Sequence, residues 1–167
     1  MSGGPLVIRR AAPADAPLIL RFIEGLAEYE RLRHACVATE EAVRETLFGE
    51  DPAAWVHIAE LDGAPVGFAL WCRNYSTFLA RPGIWLEDLY VVPEARGRGT
   101  GKALLATLAR LATERGWGRV DWAVLDWNAP SIAFYRSLGA VGLDDWTTFR
   151  LEGEALARVA TAGHAVR

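Results

Sequence analysis

The chain has 167 residues and a formal net charge of -3, enough for one domain that buries roughly 70% of its unfolded surface without disulfide or metal staples. A pI near 5.6 gives no basic field for nucleic acid or anionic lipid. Cys36 and Cys72 show no redox or metal spacing, His34, His57 and His164 form no cluster, and no apolar run approaches a membrane span, so a metal site and a membrane are not expected.

In chain order, Leu6 to Arg10 reads as a strand, and Pro13-Ala14-Asp15 opens a helix with Ile19, Phe22, Ile23 and Leu26 on one face, running to about Arg33. Thr39 caps a second, shorter helix that ends near Gly49. Trp55 to Glu60 and Pro65 to Trp71 are strands joined through Asp62-Gly63, a strong hairpin signal. Asn74 to Gly83 is turn-rich and reads as a surface loop whose Tyr75, Phe78 and Leu79 suit the lining of a pocket. A strand ending at Val92 is stopped by Pro93, and Leu104, Leu108, Leu111 and Ala112 then recur at helical spacing. That helix ends near Gly116, and Val120 to Leu125 follows as a strand, parallel to the one before Pro93 because a βα unit precedes it. Asn128 caps a short helix closed by Gly139, Trp146 to Leu151 reads as a last strand, and Glu152 to Ala160 as a terminal helix. Residues 5–160 form a single domain on this reading and 161–167 a frayed tail. Five of the seven tryptophans, at 55, 71, 85, 122 and 146, fall on different expected strands, with core packing as their default role.

The densest signal is Arg96-Gly97-Arg98-Gly99-Thr100-Gly101-Lys102, a basic glycine loop between a strand and a helix. Glycines let backbone approach a ligand, and the helix start that follows offers unpaired N–H groups and a positive dipole end, the elements of an anion cradle. Spacing rejects a P-loop, which would need glycine at Arg96 and Ser or Thr at Ala103. It also rejects a dinucleotide fingerprint, which would need a small residue at Leu104 or glycine at Lys102.

What remains, Arg96-x-x-Gly99-x-Gly101, resembles the signature of the GNAT superfamily of acetyl-CoA-dependent N-acetyltransferases. Leu86-Glu87-Asp88, Val124-Leu125-Asp126-Trp127-Asn128 and Phe134-Tyr135 fall where that family places its other motifs. Within it, Leu26-Ala27-Glu28-Tyr29-Glu30 and Tyr75-Ser76-Thr77-Phe78 look most like the spermidine/spermine and thialysine group of diamine acetyltransferases. The resemblance implies an α/β (α+β) GNAT fold, with a mixed, mostly antiparallel sheet of six to seven strands flanked by four to five helices. It implies acetyl-CoA as co-substrate, its pyrophosphate on Arg96 to Lys102, Thr100 included, and its pantetheine arm paired with backbone from Leu89, Tyr90 and Val91. Asn128, Ser131 and Tyr135 then flank the thioester. A small-molecule amine is the acceptor, met by Glu28, Tyr29, Glu30, Tyr75, Phe78, Glu87 and Asp88. A homodimer follows from the same resemblance, and a cytoplasmic location is expected because Cys36 and Cys72 give no disulfide framework.

Acetyl transfer needs a neutral amine, oxyanion donors and a proton for the departing thiolate. Tyr135 resembles the family's acid and Glu87 its base, direct or through water. On a regular strand Glu87 and Asp88 face opposite ways, and a bulge would bring both to one region. The oxyanion donors are expected near Leu89 and Tyr90. Arg31 and Arg33 stand where spermidine-acetylating relatives carry acid, which argues against polyamines and for thialysine, a lysine-like amino acid or a short diamine. An antibiotic amine, a peptide N-terminus, or acyl-CoA binding without catalysis remain open alternatives at this stage.

Overall fold

The computed structural model describes residues 4–162. The chain divides into two compact units, Met1–Leu125 and Asp126–Arg167.

The first unit is a five-stranded sheet in the order β1 to β5: β1 Leu6–Arg10, β2 Trp55–Leu61, β3 Ala64–Ser76, β4 Arg81–Val91 and β5 Val120–Trp122. The first four strands pair antiparallel and β5 joins β4 in parallel, which is the mixed, mostly antiparallel sheet expected. Helices α1 (Ala16–Tyr29) and α2 (Glu40–Phe48) cover one face and α3 (Thr100–Glu114) the other. The α1 face holds a cluster of Ile19, Phe22, Val43, Val56, Ile58 and Phe68, in which Phe22 stacks on Phe68 with centroids 5.5 Å apart. Leu104 and Leu108 of α3 are fully buried. No helix among the described residues is long and apolar enough to cross a membrane.

Several expectations are corrected. The segment 74–83 is strand on both sides of a four-residue turn: β3 and β4 stay paired out to Ser76↔Arg81, and the Leu79 N–H donates to Ser76 Oγ within the turn. Its Asn, Gly and Pro residues suggested a loop, but Asn74 Nδ2 donates to Asp121 Oδ2 at 2.9 Å and is thereby held in the sheet. The helix expected to reach Arg33 ends at Tyr29. Arg31 adopts φ 62°, and the Leu32 N–H reaches Ala27 O at 2.8 Å while the Arg31 N–H reaches Glu28 O at 3.0 Å. This is a Schellman stop, built without the glycine that announces one in sequence. Finally, the sheet has five strands and not six or seven, because 146–151 has no ladder partner among the described residues. Trp146 is 77% exposed and Phe149 90% exposed, so Trp146 does not pack in a core either. β5 also stops at Trp122, short of the expected Leu125.

The hairpin at Asp62-Gly63 forms as expected, both residues at positive φ, 56° and 78°, as a two-residue primed turn demands. The second unit carries α4 (Ala129–Ser137) and α5 (Gly153–Ala162). Thr161 and Ala162 of the expected tail are therefore helical, and 163–167 lies outside the described residues.

Close packing of β3 on β4 depends on Gly67, which pairs with Val91; a Cβ there would stand 2.5 Å from the Tyr90 carbonyl oxygen. We expect Gly67→Ala to cost about 1–3 kcal/mol, because the obstacle is backbone and must shift. Urea denaturation measures it, and an unchanged midpoint would show that the strands separate freely.

Candidate active site

The site of the first unit is set by one irregularity in β4. Leu70 pairs with Asp88 and Trp71 with Leu86, so Glu87 is an extra residue, a bulge. Leu86 keeps to the α3 face. Asp88 returns to the α1 face with its partner Leu70, two register positions before the Phe68–Tyr90 pair. The Trp85 indole N–H donates to Glu87 Oε2 at 2.6 Å, which draws Glu87 to the same side as Trp85. The alternation that would separate the two carboxylates is thereby cancelled.

Their proximity has an electrostatic consequence. Asp88 is half-buried, and its pKa is pushed up to about 7, first by burial and then by the negative charges of Glu87 and Glu30. Burial also raises Glu30, which closes α1, and burial together with the Glu87 charge raises the Cys72 thiol. Glu30, Glu87 and Asp88 thus form one carboxylate cluster at the end of α1. Such a cluster can hold an ammonium group, and its least exposed member is poised to exchange a proton near neutral pH.

Beside the cluster β4 has an open edge. Pairing with β5 ends at Leu86↔Trp122. On the other side the Val92 N–H donates to Val66 O, which makes Phe68↔Tyr90 and Leu70↔Asp88 the hydrogen-bonded pairs. By alternation the N–H and C=O groups of Leu89 and Val91 face away from β3. Tyr90, expected as a donor, has its backbone turned into the ladder; its ring lies 6.2 Å from Phe22 and its hydroxyl sits over Gly25 of α1. The available donors are Leu89 and Val91.

The glycine loop follows directly. Pro93–Ala95 makes one 3-10 turn, and Gly97 and Gly99 take φ values of 73° and 83° with no atom within 4 Å of either Cβ position. Space therefore lies where their side chains would be. Gly99 also caps α3 without a side-chain hydrogen bond, leaving the first N–H groups of a 15-residue helix for an anion. Lys102 is exposed on the first turn and forms no ion pair among the described residues. The other named loop residues differ. Thr100 is 1% exposed, so only its backbone can reach a ligand. Arg98 faces Asp62 at 3.9 Å. Arg96 is a tie: its Nε donates to Val91 O at 2.9 Å, and its guanidinium lies 4.7 Å from the Tyr29 ring and 5.8 Å from that of Tyr90. It fastens the loop to the ends of β4 and α1.

Of the remaining acceptor candidates, Glu28 is exposed on the last turn of α1. Tyr75 pairs with Pro82 on the α3 face, opposite the carboxylates, and Phe78 is 96% exposed at the hairpin turn. The structure does not gather these two with Glu30 and Asp88. Arg33 is held by Glu24 at 2.6 Å and by Cys36 O, so its charge is largely answered locally. In the second unit, Asn128 is buried and its Oδ1 accepts the Ser131 N–H at 3.3 Å, capping α4. Tyr135 lies on the same helix, its ring 5.3 Å from that of Phe134.

Comparison with known proteins accords with this geometry. The model of the acetyltransferase (GNAT) family matches residues 21–140. Thialysine N-epsilon-acetyltransferase of Bos taurus is 40% identical over 166 residues, covering 93% of this chain and 97% of that protein. An L-ornithine N5-acetyltransferase of Arabidopsis thaliana is 33% identical, covering 89% and 85%. Among solved structures, an integron cassette protein from the mobile metagenome of V. cholerae superimposes with a TM-score of 0.79 at 25% identity, over 95% of this chain and 99% of that one. An aminoglycoside N-acetyltransferase in complex with CoA gives 0.72 at 20% identity, over 90% and 96%, a likeness of fold. The matched region spans the carboxylates of α1 and β4, the glycine loop and α4, and the chain belongs to the GNAT acetyltransferase family as an N-acetyltransferase.

Proposed function

We propose that this enzyme moves an acetyl group from acetyl-CoA to the primary amine of a small lysine-like amino acid, such as thialysine, or of a short diamine, by direct transfer in a ternary complex. The observation that carries the reading is the bulge at Glu87, which sets Glu30, Glu87 and Asp88 beside an open strand edge and a glycine cradle. The open Cβ positions of Gly97 and Gly99, the uncapped start of α3 and the unpaired Lys102 suit a pyrophosphate. The polar groups of Leu89 and Val91 suit a pantetheine arm added as a strand, and donors for a developing oxyanion.

Acetyl-CoA, when bound, supplies the activated acetyl group. Glu30 and Glu87 attract the ammonium form of the acceptor. Asp88 takes the proton that the amine must lose before its lone pair attacks; of the two β4 carboxylates it is the more suited, since Glu87 is exposed and engaged by Trp85. Tyr135 returns a proton to the departing sulfur, a role that rests on its place on α4 after Asn128 and on the family resemblance. The acceptor preference rests on charge: the three carboxylates answer one ammonium group, and Arg31, next in sequence to Glu30, disfavours a polycation. A homodimer and a cytoplasmic setting belong to the same proposal, the latter in keeping with the free thiols of Cys36 and Cys72.

Thiol release from acetyl-CoA over a panel of thialysine, lysine, ornithine, putrescine and spermidine tests it. We expect the amino acids to exceed spermidine by at least tenfold in kcat/KM. Release with spermidine alone would reverse the acceptor assignment, and no release with any amine would favour acyl-CoA binding without catalysis.

A further inference from the structure

The α3 face of the sheet carries a second concavity, a recess of about 250 Å³. Its walls are indoles. Trp55 and Trp71 are cross-strand partners with ring centroids 5.0 Å apart, and Trp117, just beyond α3, stands edge-on to Trp71 at 6.3 Å. His57 lies parallel to Trp71, and its Nδ1 accepts the Trp71 indole N–H at 3.1 Å. That bond leaves the proton of the neutral ring on Nε2, as a donor; burial, and then the charge of Arg10, holds the ring neutral by lowering its pKa.

The rim is cationic. Arg10, Arg73 and Arg115 border the recess, all three exposed, and no carboxylate lines it. None of the three forms an ion pair or a side-chain hydrogen bond among the described residues. Arg73 lies 5.9 Å from the Trp55 ring and Arg115 lies 5.1 Å from that of Trp117. Four other arginines of this unit have carboxylate partners: Arg9 with Asp15 and Glu60, Arg33 with Glu24, Arg44 with Glu40 and Arg119 with Asp121. Three guanidiniums without a carboxylate partner around indoles in mutual contact exclude a cationic amine and call for an anion with a flat apolar body.

We propose that this recess is a second ligand site, separate from the acetyl-transfer site, that binds a small aromatic carboxylate. The ring enters among Trp55, Trp71 and Trp117, the carboxylate meets Arg73 and Arg115, and His57 Nε2 supplies a neutral donor. The volume, about eight times that of a water in the liquid, suits a one- or two-ring acid. The site is distinct from the cofactor cradle: Leu111 lines it, twelve residues along α3 from Gly99 and so about 18 Å away at 1.5 Å per residue.

Calorimetric titration of the full-length protein with indole-3-acetate tests this, with indole-3-acetamide and acetate as the neutral and ringless controls. We expect saturable binding of the acid, at least tenfold weaker binding of the amide and none of acetate. The double variant Arg73→Gln/Arg115→Gln should weaken the acid at least tenfold and leave acetyl-CoA affinity unchanged, since both side chains are exposed and far from the cradle. Equal binding of acid and amide, indifference to the double variant, displacement of the acid by acetyl-CoA, or no saturable binding would each overturn the proposal.

Discussion

Asp88→Asn is expected to lower kcat/KM for the amine by about two to three orders of magnitude, in the range that positioned proton acceptors contribute. The size follows from the bulge at Glu87. Without it Asp88 would share the α3 face with Leu86; with it the carboxyl joins Glu87 and Glu30, and burial plus two like charges raise its pKa to about 7. As a proton acceptor Asp88 works ionised, so wild-type kcat/KM should rise as pH increases through about 7, and the Asn variant should lack that limb. Stability gives an independent reading. Folded Asp88 holds its proton up to about pH 7, while an unfolded aspartate ionises near 4. The folded state therefore binds more protons between roughly pH 4 and 7, and wild-type stability falls as pH rises through that window. The Asn variant escapes this loss, so its melting temperature should match the wild type near pH 4 and exceed it by a growing margin up to pH 7, constant above. Glu87→Gln, which removes an exposed carboxylate, should chiefly raise KM. If Asp88→Asn keeps activity within threefold and retains the acid limb, the proton acceptor is Glu87.

These features differ in how far they can be read from residue order. The glycine loop is legible because its chemistry is local: a proline-stopped strand, alternate glycines and a helix follow one another directly along the chain. The hairpin at Asp62-Gly63 is legible for the same reason. The bulge is not, since nothing in Leu86-Glu87-Asp88 departs from strand composition and the extra residue exists only relative to Leu70 and Trp71 of the partner strand. The Schellman stop at Arg31 is hidden because arginine stands where glycine usually signals it. Pairing from Asn74 to Gly83 is equally hidden, since its turn-forming residues are held extended by partners up to 47 positions away, as in the Asn74–Asp121 bond. The tryptophans show the limit most clearly. Their spread over several strands suggests separate core contacts, yet cross-strand register sets Trp55 beside Trp71 and the end of α3 brings up Trp117. Residue type alone announces aromatic burial; register decides whether it fills a core or walls a recess.

Tyr135→Phe should reduce kcat about a hundredfold while acetyl-CoA affinity stays within twofold. A departing thiolate at neutral pH gains from a proton delivered as the carbon–sulfur bond breaks, and general-acid groups typically contribute about 10² to 10⁴ in rate. The substitution removes one oxygen and keeps the ring, so the contact with Phe134 at 5.3 Å survives. The helix survives as well, since its cap is the bond from the Ser131 N–H to Asn128 Oδ1. A hydrogen bond lost with the hydroxyl would account for about 1 kcal/mol of stability, whereas a hundredfold fall in kcat corresponds to about 2.7 kcal/mol of lost transition-state stabilisation. A structural tyrosine would show the reverse pattern, a lowered melting temperature with turnover preserved. The two substitutions also separate by what restores the rate. The Asp88→Asn defect lies in removing the amine's proton, so an acceptor of lower pKa, already neutral at assay pH, should recover much of it. The Tyr135→Phe defect lies at sulfur and should persist with every acceptor. Recovery of both variants by the same low-pKa amine would mean that Tyr135 acts on the amine, and unchanged turnover of Tyr135→Phe across pH would remove it from the reaction.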